Sequence, residues 1–421
     1  AVPPNSCHAS ARPQVPPLDD NTDGMTATGG VAIVGGCGHV GLPLGLAFAD
    51  SGLDVVLYDI NEAAIDTVRA GKMPFFETGA DEVLERVLAN GRLTLSSDPA
   101  SVSNVQNVVV VVGTPVDEHL NPDPAAVVKA IEAMIDHLHD GQLLVLRSTV
   151  YPGVTALVER LLAKHGKAIE VAFCPERIAE GKAMEELYTL PQIISGRTPE
   201  AIDRAGDLFG NLTKQVIPLE VEEAELAKLF TNTWRYIKFA AANQLYMMAN
   251  DFGVDFDRIR EAMTKDYPRA SDVPGPGLAA GPCLLKDTMQ LAAFNNNNFM
   301  LGHAAMMVNE GLPMYMIDQI EKDHDLSTMT VGLLGMAFKG ESDDIRSSLS
   351  YKLKRLLKIK ADRVLCSDPY VTVDPDLAPL DQVLEQADII VIGAPHKPYA
   401  HLAPTVPVFD IWNVISTGAR S

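Results

Sequence analysis

Residues 31–52 read VAIVGGCGHVGLPLGLAFADSG. An apolar run, Val31–Gly35, closes on glycines, and a helical segment, Leu42–Ser51, follows. Between them lies Gly36-x-Gly38-x-x-Gly41. Glycines in that pattern allow a tight turn and close approach of the backbone to a pyrophosphate, and the free N–H groups at the following helix start favour that anion. The next apolar run, Asp54–Tyr58, ends at Asp59, whose carboxylate can accept hydrogen bonds from an adenosine ribose diol and repels a 2′-phosphate. The reading is a site for NAD rather than NADP. His39 and Val40 belong to the same loop and join the cofactor-binding set; His39 either touches the pyrophosphate or stands as a solvated loop histidine. Cys37 reads as a small residue that fits. The competing reading is a glycine turn that serves only helix–strand packing.

Further strand-like runs follow at Val108–Val112, Leu143–Leu146, Glu170–Phe173 and Gln192–Ser195. Apolar, β-branched runs separated by helical segments predict an α/β fold with a parallel, doubly wound sheet. The character changes at 221–252, VEEAELAKLFTNTWRYIKFAAANQLYMMANDF, which holds neither Pro nor Gly and carries Glu222, Glu223 and Glu225 in its first turns. This predicts one long helix of roughly 45–50 Å, a spine between domains or a dimer contact. A Gly/Pro loop, PGPGLAAGPC at 274–283, precedes a helical stretch running toward Glu321 and interrupted near Asn295–Asn298. A second α/β pattern starts at Thr330, with runs at Val331–Leu334, Arg363–Cys366, Ile389–Ile392 and Val408–Phe409. The expected division is a disordered tail or appended leader at 1–28, with Met25 as a natural start; a dinucleotide-binding Rossmann domain at 29–220; a central helical domain at 221–325; and a second Rossmann-like domain at 326–421.

Of the 421 residues 47% are hydrophobic, ample for such cores. No run approaches the ~20 apolar residues of a membrane helix, and no apolar signal core stands at the N-terminus, so a cytoplasmic enzyme without a membrane partner is expected. The net charge of −21 argues against a nucleic-acid partner. The five cysteines are scattered and form no CxxC pair, which excludes a disulfide framework and a zinc site and leaves reduced thiols. His137 and His139 lack nearby Cys or carboxylate partners, so no metal is expected.

Three further clusters carry chemistry. In GPCLLKD, 281–287, Gly281 and Pro282 suit N-cap and N1 positions, which puts Cys283 in a first helical turn, where unpaired N–H groups favour a thiolate. Lys286 and Asp287 share its face at i+3 and i+4. On the long helix Lys228 and Asn232 project together, a cation and an amide suited to an oxyanion. In CPERIAEGKA, 174–183, Glu176 and Glu180 share a face if the stretch is helical; Thr149 in RSTVYPG ends a strand at the sheet edge where ligands bind. The bland alternatives are a buried cysteine at a helix start and solvated helix faces.

Taken together, the ordered segments GCGHVGLP, VVGTPVD, RSTVYPG, CPERIAEG, ELAKLFTN, GPCLLKD and GMAFKGESDDIRSS resemble the family of UDP-glucose, GDP-mannose and UDP-N-acetylhexosamine dehydrogenases from about Gly30 to Trp412. The resemblance implies two Rossmann-like domains joined by a long helix that helps form a homodimer, and a UDP-sugar substrate oxidised twice by NAD without release of the aldehyde. It implies Cys283 as nucleophile, Lys228 and Asn232 as oxyanion stabilisers, Asp287 as the carboxylate that activates water, Glu176 in thioester hydrolysis and Thr149 in placing water. Gly113, Thr114 and Pro115 of VVGTPVD, with Thr149, Lys286 and Arg346, fall to the cofactor. Arg177, Glu180, Gly277 and Lys339, with Glu176, Lys228 and Asn232, fall to the substrate, and Arg269 of YPRAS to the partner subunit's sugar-nucleotide site. PER leans toward N-acetylhexosamine enzymes, either UDP-N-acetylglucosamine or UDP-N-acetylmannosamine, while AEGKA leans toward UDP-glucose.

Two other readings compete. A 3-hydroxyacid or 6-phosphogluconate-type dehydrogenase shares the Rossmann-plus-helix plan, but leaves the second α/β domain unexplained and releases one NADH instead of two. A non-catalytic NAD or nucleotide-sugar sensor needs none of Cys283, Lys228 and Asp287.

Overall fold

The computed structural model describes residues 29–117 and 123–415; the expected tail at 1–28, with Met25 and Cys7, lies outside the described residues. Six strands form the first sheet: β1 (Val31–Val34), β2 (Val55–Tyr58), β3 (Leu93–Ser96), β4 (Asn107–Val110), β5 (Leu143–Leu146) and β6 (Glu170–Phe173). All pairs are parallel and the order is β3-β2-β1-β4-β5-β6, the doubly wound order whose switch point lies between β1 and β4. Successive side chains point to opposite faces. Val31 and Ile33 therefore join one core with α1 (Gly41–Asp50), while Ala32 and Val34 join the other. Every residue of β1 and β5 is buried, and each such Val or Leu contributes about 1.5–3 kcal/mol over leaving it exposed.

The remaining helices of this half are α2 (Glu62–Arg69), α3 (Ala80–Ala89), α4 (Ala125–Glu132), α5 (Val154–Lys164), α6 (Ala183–Thr189) and α7 (Pro199–Gly210). Helices α1, α3, α6 and α7 cover one face; α4 and α5 cover the other. The expected strand Gln192–Ser195 exists as β7, but stands outside the main sheet and pairs with β8 (Val216–Leu219). Sequence reading missed β3 and β8. The first is an edge strand with two polar residues in four, and the second is largely exposed and contains Pro218, which weakens a strand signature.

The long helix, α8, spans Val221–Asp251 and opens with a capping box between Glu220 and Glu223. Glu225, expected only to favour the helix dipole, is buried and caps α5 instead: it accepts from Gly153 N at 2.6 Å and from Thr155 N at 3.0 Å. After α9 (Phe256–Thr264), helices α10 (Leu284–Phe294) and α11 (Met300–Ile320) pack on α8. They are separated at the expected place, where Asn296 and Asn297 adopt positive φ of 52° and 57°.

A second parallel sheet has the order β10-β9-β11-β12. Its strands are β9 (Thr330–Leu334), β10 (Arg363–Ser367), β11 (Ile389–Ile392) and β12 (Val408–Phe409), with helices α12 (Leu349–Lys360) and α13 (Leu380–Gln386). It repeats the first sheet's opening device. Asp59, after β2, accepts from Cys37 N at 2.9 Å; Asp368, after β10, accepts from Met336 N and Ala337 N at 2.6 and 3.0 Å. Among the described residues no helix is long and apolar enough to cross a membrane.

Candidate active site

The glycine loop lies at the carboxyl edge of β1. A Cβ on Gly41 would stand 2.1 Å from Gly35 O, and one on Gly36 would stand 2.8 Å from both Ile33 O and Leu57 Cβ, so these two glycines are demanded by the turn itself. Gly38 differs: its nearest neighbour would be Gly35 O at 3.6 Å, and Gly113, on the adjacent loop after β4, faces open space. Two bare α-carbons facing a gap beside the start of α1, where Val40 is the N-cap, form a cradle that fits a dinucleotide pyrophosphate. Asp59 holds the loop through Cys37 N and Asn61 N. Thr114 Oγ1 donates to Thr149 O at 2.7 Å, tying the loops after β4 and β5 together, with exposed Pro115 beside them. His39 is not a solvated histidine. Its ring stacks on Phe75 at 4.1 Å, and burial, then the Arg346 charge, hold its pKa below the usual value.

The reactive groups meet where α10 crosses α8. Lys228 and Asn232 are both buried on the face of α8 that meets α10. Asn232 Nδ2 donates to Asp287 Oδ2 at 2.5 Å, and Lys286 Nζ lies 2.6 Å from Asp287 Oδ1. Lys286 also donates to Thr114 Oγ1 at 3.3 Å, which joins this cluster to the cofactor edge of the first sheet. Cys283 is solvent-accessible but deeply set, close enough for Asp287, Lys228, Lys286 and Glu180 to act on its charge. Lys228 makes no hydrogen bond among the described residues. Burial depresses its pKa, against the opposing pull of Asp287, Cys283 and Glu176.

Two expectations for GPCLLKD need correction. Cys283 is itself the N-cap of α10, while Gly281 sits before the helix at φ 101°, where a Cβ would meet the Phe338 ring at 2.6 Å. The thiol is not depressed: burial and the Asp287 carboxylate raise it, outweighing Lys228 and Lys286. Burial is the larger cause and the Asp287 charge the second.

Residues 174–182 are not helical either, so Glu176 and Glu180 do not share a helix face. Glu176 is buried. It pairs with fully buried Arg147 through Nε at 2.9 Å and through Nη2, and accepts from Arg177 N at 2.6 Å and Ile178 N at 2.9 Å. The Arg177 side chain turns to Pro191 O. Glu180 lies at the junction with the second sheet: Arg346 Nη2 reaches its Oε1 at 3.0 Å, and Lys339 Nζ donates to its carbonyl. Its Oε2 is buried without a hydrogen bond. Burial, then the Asp344 charge, raise the Glu180 pKa, while Asp344, clasped by Arg346 at 2.6 Å, is lowered. His39, Glu180 and Asp344 offer atoms within 4.8 Å of one another, but Arg346 already serves both carboxylates. Each ring nitrogen of His139 faces a backbone carbonyl.

Gly277 is buried and pinned: Asn243 bonds its N–H and its carbonyl, and a Cβ would strike the Trp412 ring at 2.1 Å. Arg269 is exposed and bonds locally to Tyr267. A cavity of about 470 Å3 between the end of α8, α9 and β12 contains none of the candidate residues. Sequence reading missed Arg147 and Glu77. The available signal was a cation directly after the apolar run Leu143–Leu146, and a carboxylate directly after Phe75–Phe76: charges adjoining apolar runs, which burial obliges to find partners.

The chain matches the UDP-glucose/GDP-mannose dehydrogenase family in three parts: its NAD binding domain over residues 30–213, its central domain over 222–311 and its UDP binding domain over 332–417. It is 31% identical over 377 residues to the UDP-N-acetyl-D-mannosamine dehydrogenase of Pyrococcus horikoshii, covering 86% of this chain and 89% of that protein. Its structure resembles that of the UDP-D-ManNAc dehydrogenase from Pyrococcus horikoshii, with a TM-score of 0.85 at 29% identity over 91% of this chain and 96% of the other. A UDP-glucose dehydrogenase from Pyrobaculum islandicum gives a TM-score of 0.85 at 28% identity, over 94% and 96% of the two chains.

Proposed function

Because the chain belongs to the UDP-glucose/GDP-mannose dehydrogenase family, we propose that this NAD-dependent nucleotide-sugar dehydrogenase oxidises the C6 hydroxymethyl of a UDP-N-acetylhexosamine, UDP-N-acetyl-D-mannosamine foremost, to the carboxylate through a covalent adduct on Cys283. The observation that supports the residue roles is the convergence of Cys283, Lys228, Asn232 and Asp287 beside a lysine that also touches the cofactor edge. The sugar rests on the PER segment and on relatives that bear the N-acetylmannosamine name. UDP-glucose is the second reading, favoured by AEGKA and by the Pyrobaculum neighbour.

Gly36, Gly38, Gly41, Asp59 and the loops at Gly113 and Thr149 would hold NAD+, which would supply the hydride acceptor for both oxidations. The protein's own groups manage protons and charge. Lys228, depressed by burial, takes the hydroxyl proton as an amine and then, as the ammonium, holds the oxyanion together with Asn232. Cys283 sulfur adds to the aldehyde carbon, and its proton passes to the carbonyl oxygen, giving a thiohemiacetal. Lys228, after passing the first proton to solvent, takes the thiohemiacetal hydroxyl proton as the carbon gives up its second hydride, which leaves the thioester. Water attacks it, helped by Asp287, Thr149 and Glu176, and the carbon–sulfur bond breaks; one water proton returns to sulfur as the thiol and the other leaves to solvent from the carboxylic acid, giving the carboxylate. Each turnover consumes two NAD+ and one water.

The test is a panel of UDP-N-acetylmannosamine, UDP-N-acetylglucosamine and UDP-glucose, counting NADH per sugar, with Cys283→Ala beside the wild type. Two equivalents with one N-acetylhexosamine are expected, together with loss of turnover but retained NAD+ and UDP binding in the variant. One equivalent, or an active variant, would remove the covalent mechanism.

The division at 29–220, 221–325 and 326–421 is proposed as cofactor, dimerisation and nucleotide-sugar units. Phe230, Trp234, Leu245 and Met248 along one stripe of α8, and Phe252 at its C-cap, are exposed, an apolar ridge suited to a second copy of the chain. Sedimentation of Trp234→Glu as a monomer is expected; an unchanged dimer would move the interface elsewhere. A cytoplasmic location accords with the free thiols of Cys37, Cys174, Cys283 and Cys366.

A further inference from the structure

Between α2 and α3 the chain reads Pro74-Phe75-Phe76-Glu77. Three consecutive residues of it touch three different parts of the molecule. Phe75, buried, stacks on His39 of the glycine loop. The Phe76 amide donates to Asp343 Oδ2 at 3.0 Å, and its ring lies 5.3 Å from that of Tyr370, both partners belonging to the second α/β unit. Glu77, 4% exposed, accepts from Gly181 N at 2.7 Å through one oxygen and from Ala183 N at 2.8 Å through the other. Those amides flank the turn just after Glu180, whose carbonyl is gripped by Lys339 and whose carboxylate is gripped by Arg346. A carboxylate this buried is costly unless each oxygen meets a donor. Helix α6 starts at Ala183, but its seven residues leave little reason to spend a buried charge on its stability alone.

We propose that Phe75–Glu77 is a strap that couples the nucleotide-sugar unit to the cofactor unit, with Glu77 as the positioning residue that fixes the Glu180 turn over Cys283. Glu77 touches no substrate or reacting atom in this scheme; it acts through Glu180 and through the lysine and arginine that bind the turn. Phe76 and Asp343 form the outer contact, which exists only when the second unit lies against the first. The inference rests on the catalytic reading given above.

The experiment uses the full chain with the best UDP-sugar of the panel. Replacing Glu77 by Gln turns one amide-facing oxygen into an NH2 group, so a donor meets a donor. Expected for Glu77→Gln is a fall in kcat of about tenfold or more at saturating substrates, with the NAD+ Kd changed less than about threefold and substantial rescue in Glu77→Asp. Expected for Phe76→Ala and for Asp343→Ala is a rise of about fivefold in UDP-sugar KM, with kcat within about twofold. An unchanged kcat in Glu77→Gln overturns the positioning role. Should that variant fail to fold, Phe76→Ala and Asp343→Ala decide alone, and a wild-type KM in both overturns the strap. A wild type that oxidises no UDP-sugar, or a fully active Cys283→Ala, instead defeats the underlying catalytic reading; a working wild type with indifferent strap variants defeats only this one.

Discussion

The side-chain amide of Asn232 donates to Asp287 Oδ2 at 2.5 Å, across the contact between α8 and α10, with both residues buried. One bond thus joins two segments 55 positions apart and aims the second carboxylate oxygen at Lys286, 2.6 Å away. Truncating Asn232 to Ala leaves a buried carboxylate with one donor fewer, at a cost of about 1–3 kcal/mol. A fall in kcat of about 10²-fold is expected as well, since an oxyanion donor is lost. Denaturant unfolding and steady-state kinetics measure the two effects, and wild-type values in both would mean that the bond neither holds nor works.

The Cys283 thiol is raised by burial and by Asp287, so its thiolate grows only as pH climbs past the ordinary thiol range. Iodoacetamide labelling of the ligand-free protein, followed at Cys283 by mass spectrometry, should accelerate with pH into the alkaline region. In Asp287→Asn the whole curve should move to lower pH, because the Asp287 charge is, after burial, the largest cause that raises the thiol. A rate already at its plateau below neutrality contradicts this.

Lys228 is destabilising where it stands. Its folded pKa is depressed by burial, so over that interval the unfolded chain binds the extra proton, and stability rises with pH toward the ordinary lysine value. Lys228→Met should therefore unfold at a higher denaturant midpoint than wild type at pH 7, with the gap narrowing as pH approaches about 10.4, while kcat falls at least about 10²-fold. A variant less stable at pH 7 would show that Asp287 and Glu176 need this charge more than burial penalises it.

Arg147 and Glu176 form a buried ion pair, with side chains 0% and 9% exposed. Arg147 also donates to Cys174 O and Gln192 Oε1, and its guanidinium lies 4.6 Å from the Phe209 ring centre. Removing the cation alone strands the carboxylate, so Arg147→Met should cost about 3–5 kcal/mol. Adding Glu176→Gln should return part of it, because contacting residues are not additive. Equal unfolding midpoints for Arg147→Met and wild type would show that the pair carries no net stability.

By itself the sequence determined the two Rossmann-like units and the long helix between them, because those features are written locally. A buried strand is an apolar run, a tight turn is a glycine, and thirty residues without Pro or Gly make a helix. It also determined the neighbours Lys228 and Asn232, and set Lys286 and Asp287 at i+3 and i+4 from Cys283, since one helical turn brings such residues to the same face. Only the tertiary structure decided which buried charges meet. Nothing local in RSTVYPG or PFFETG states that Arg147 holds Glu176 or that Glu77 holds the turn after Glu180. Nor could the helix-start position of Cys283 reveal a thiol raised rather than lowered, since that depends on a carboxylate and on burial supplied by the fold. Charge–charge distance and exposure arise from packing between segments far apart in the chain, and they are where local rules lose their reach.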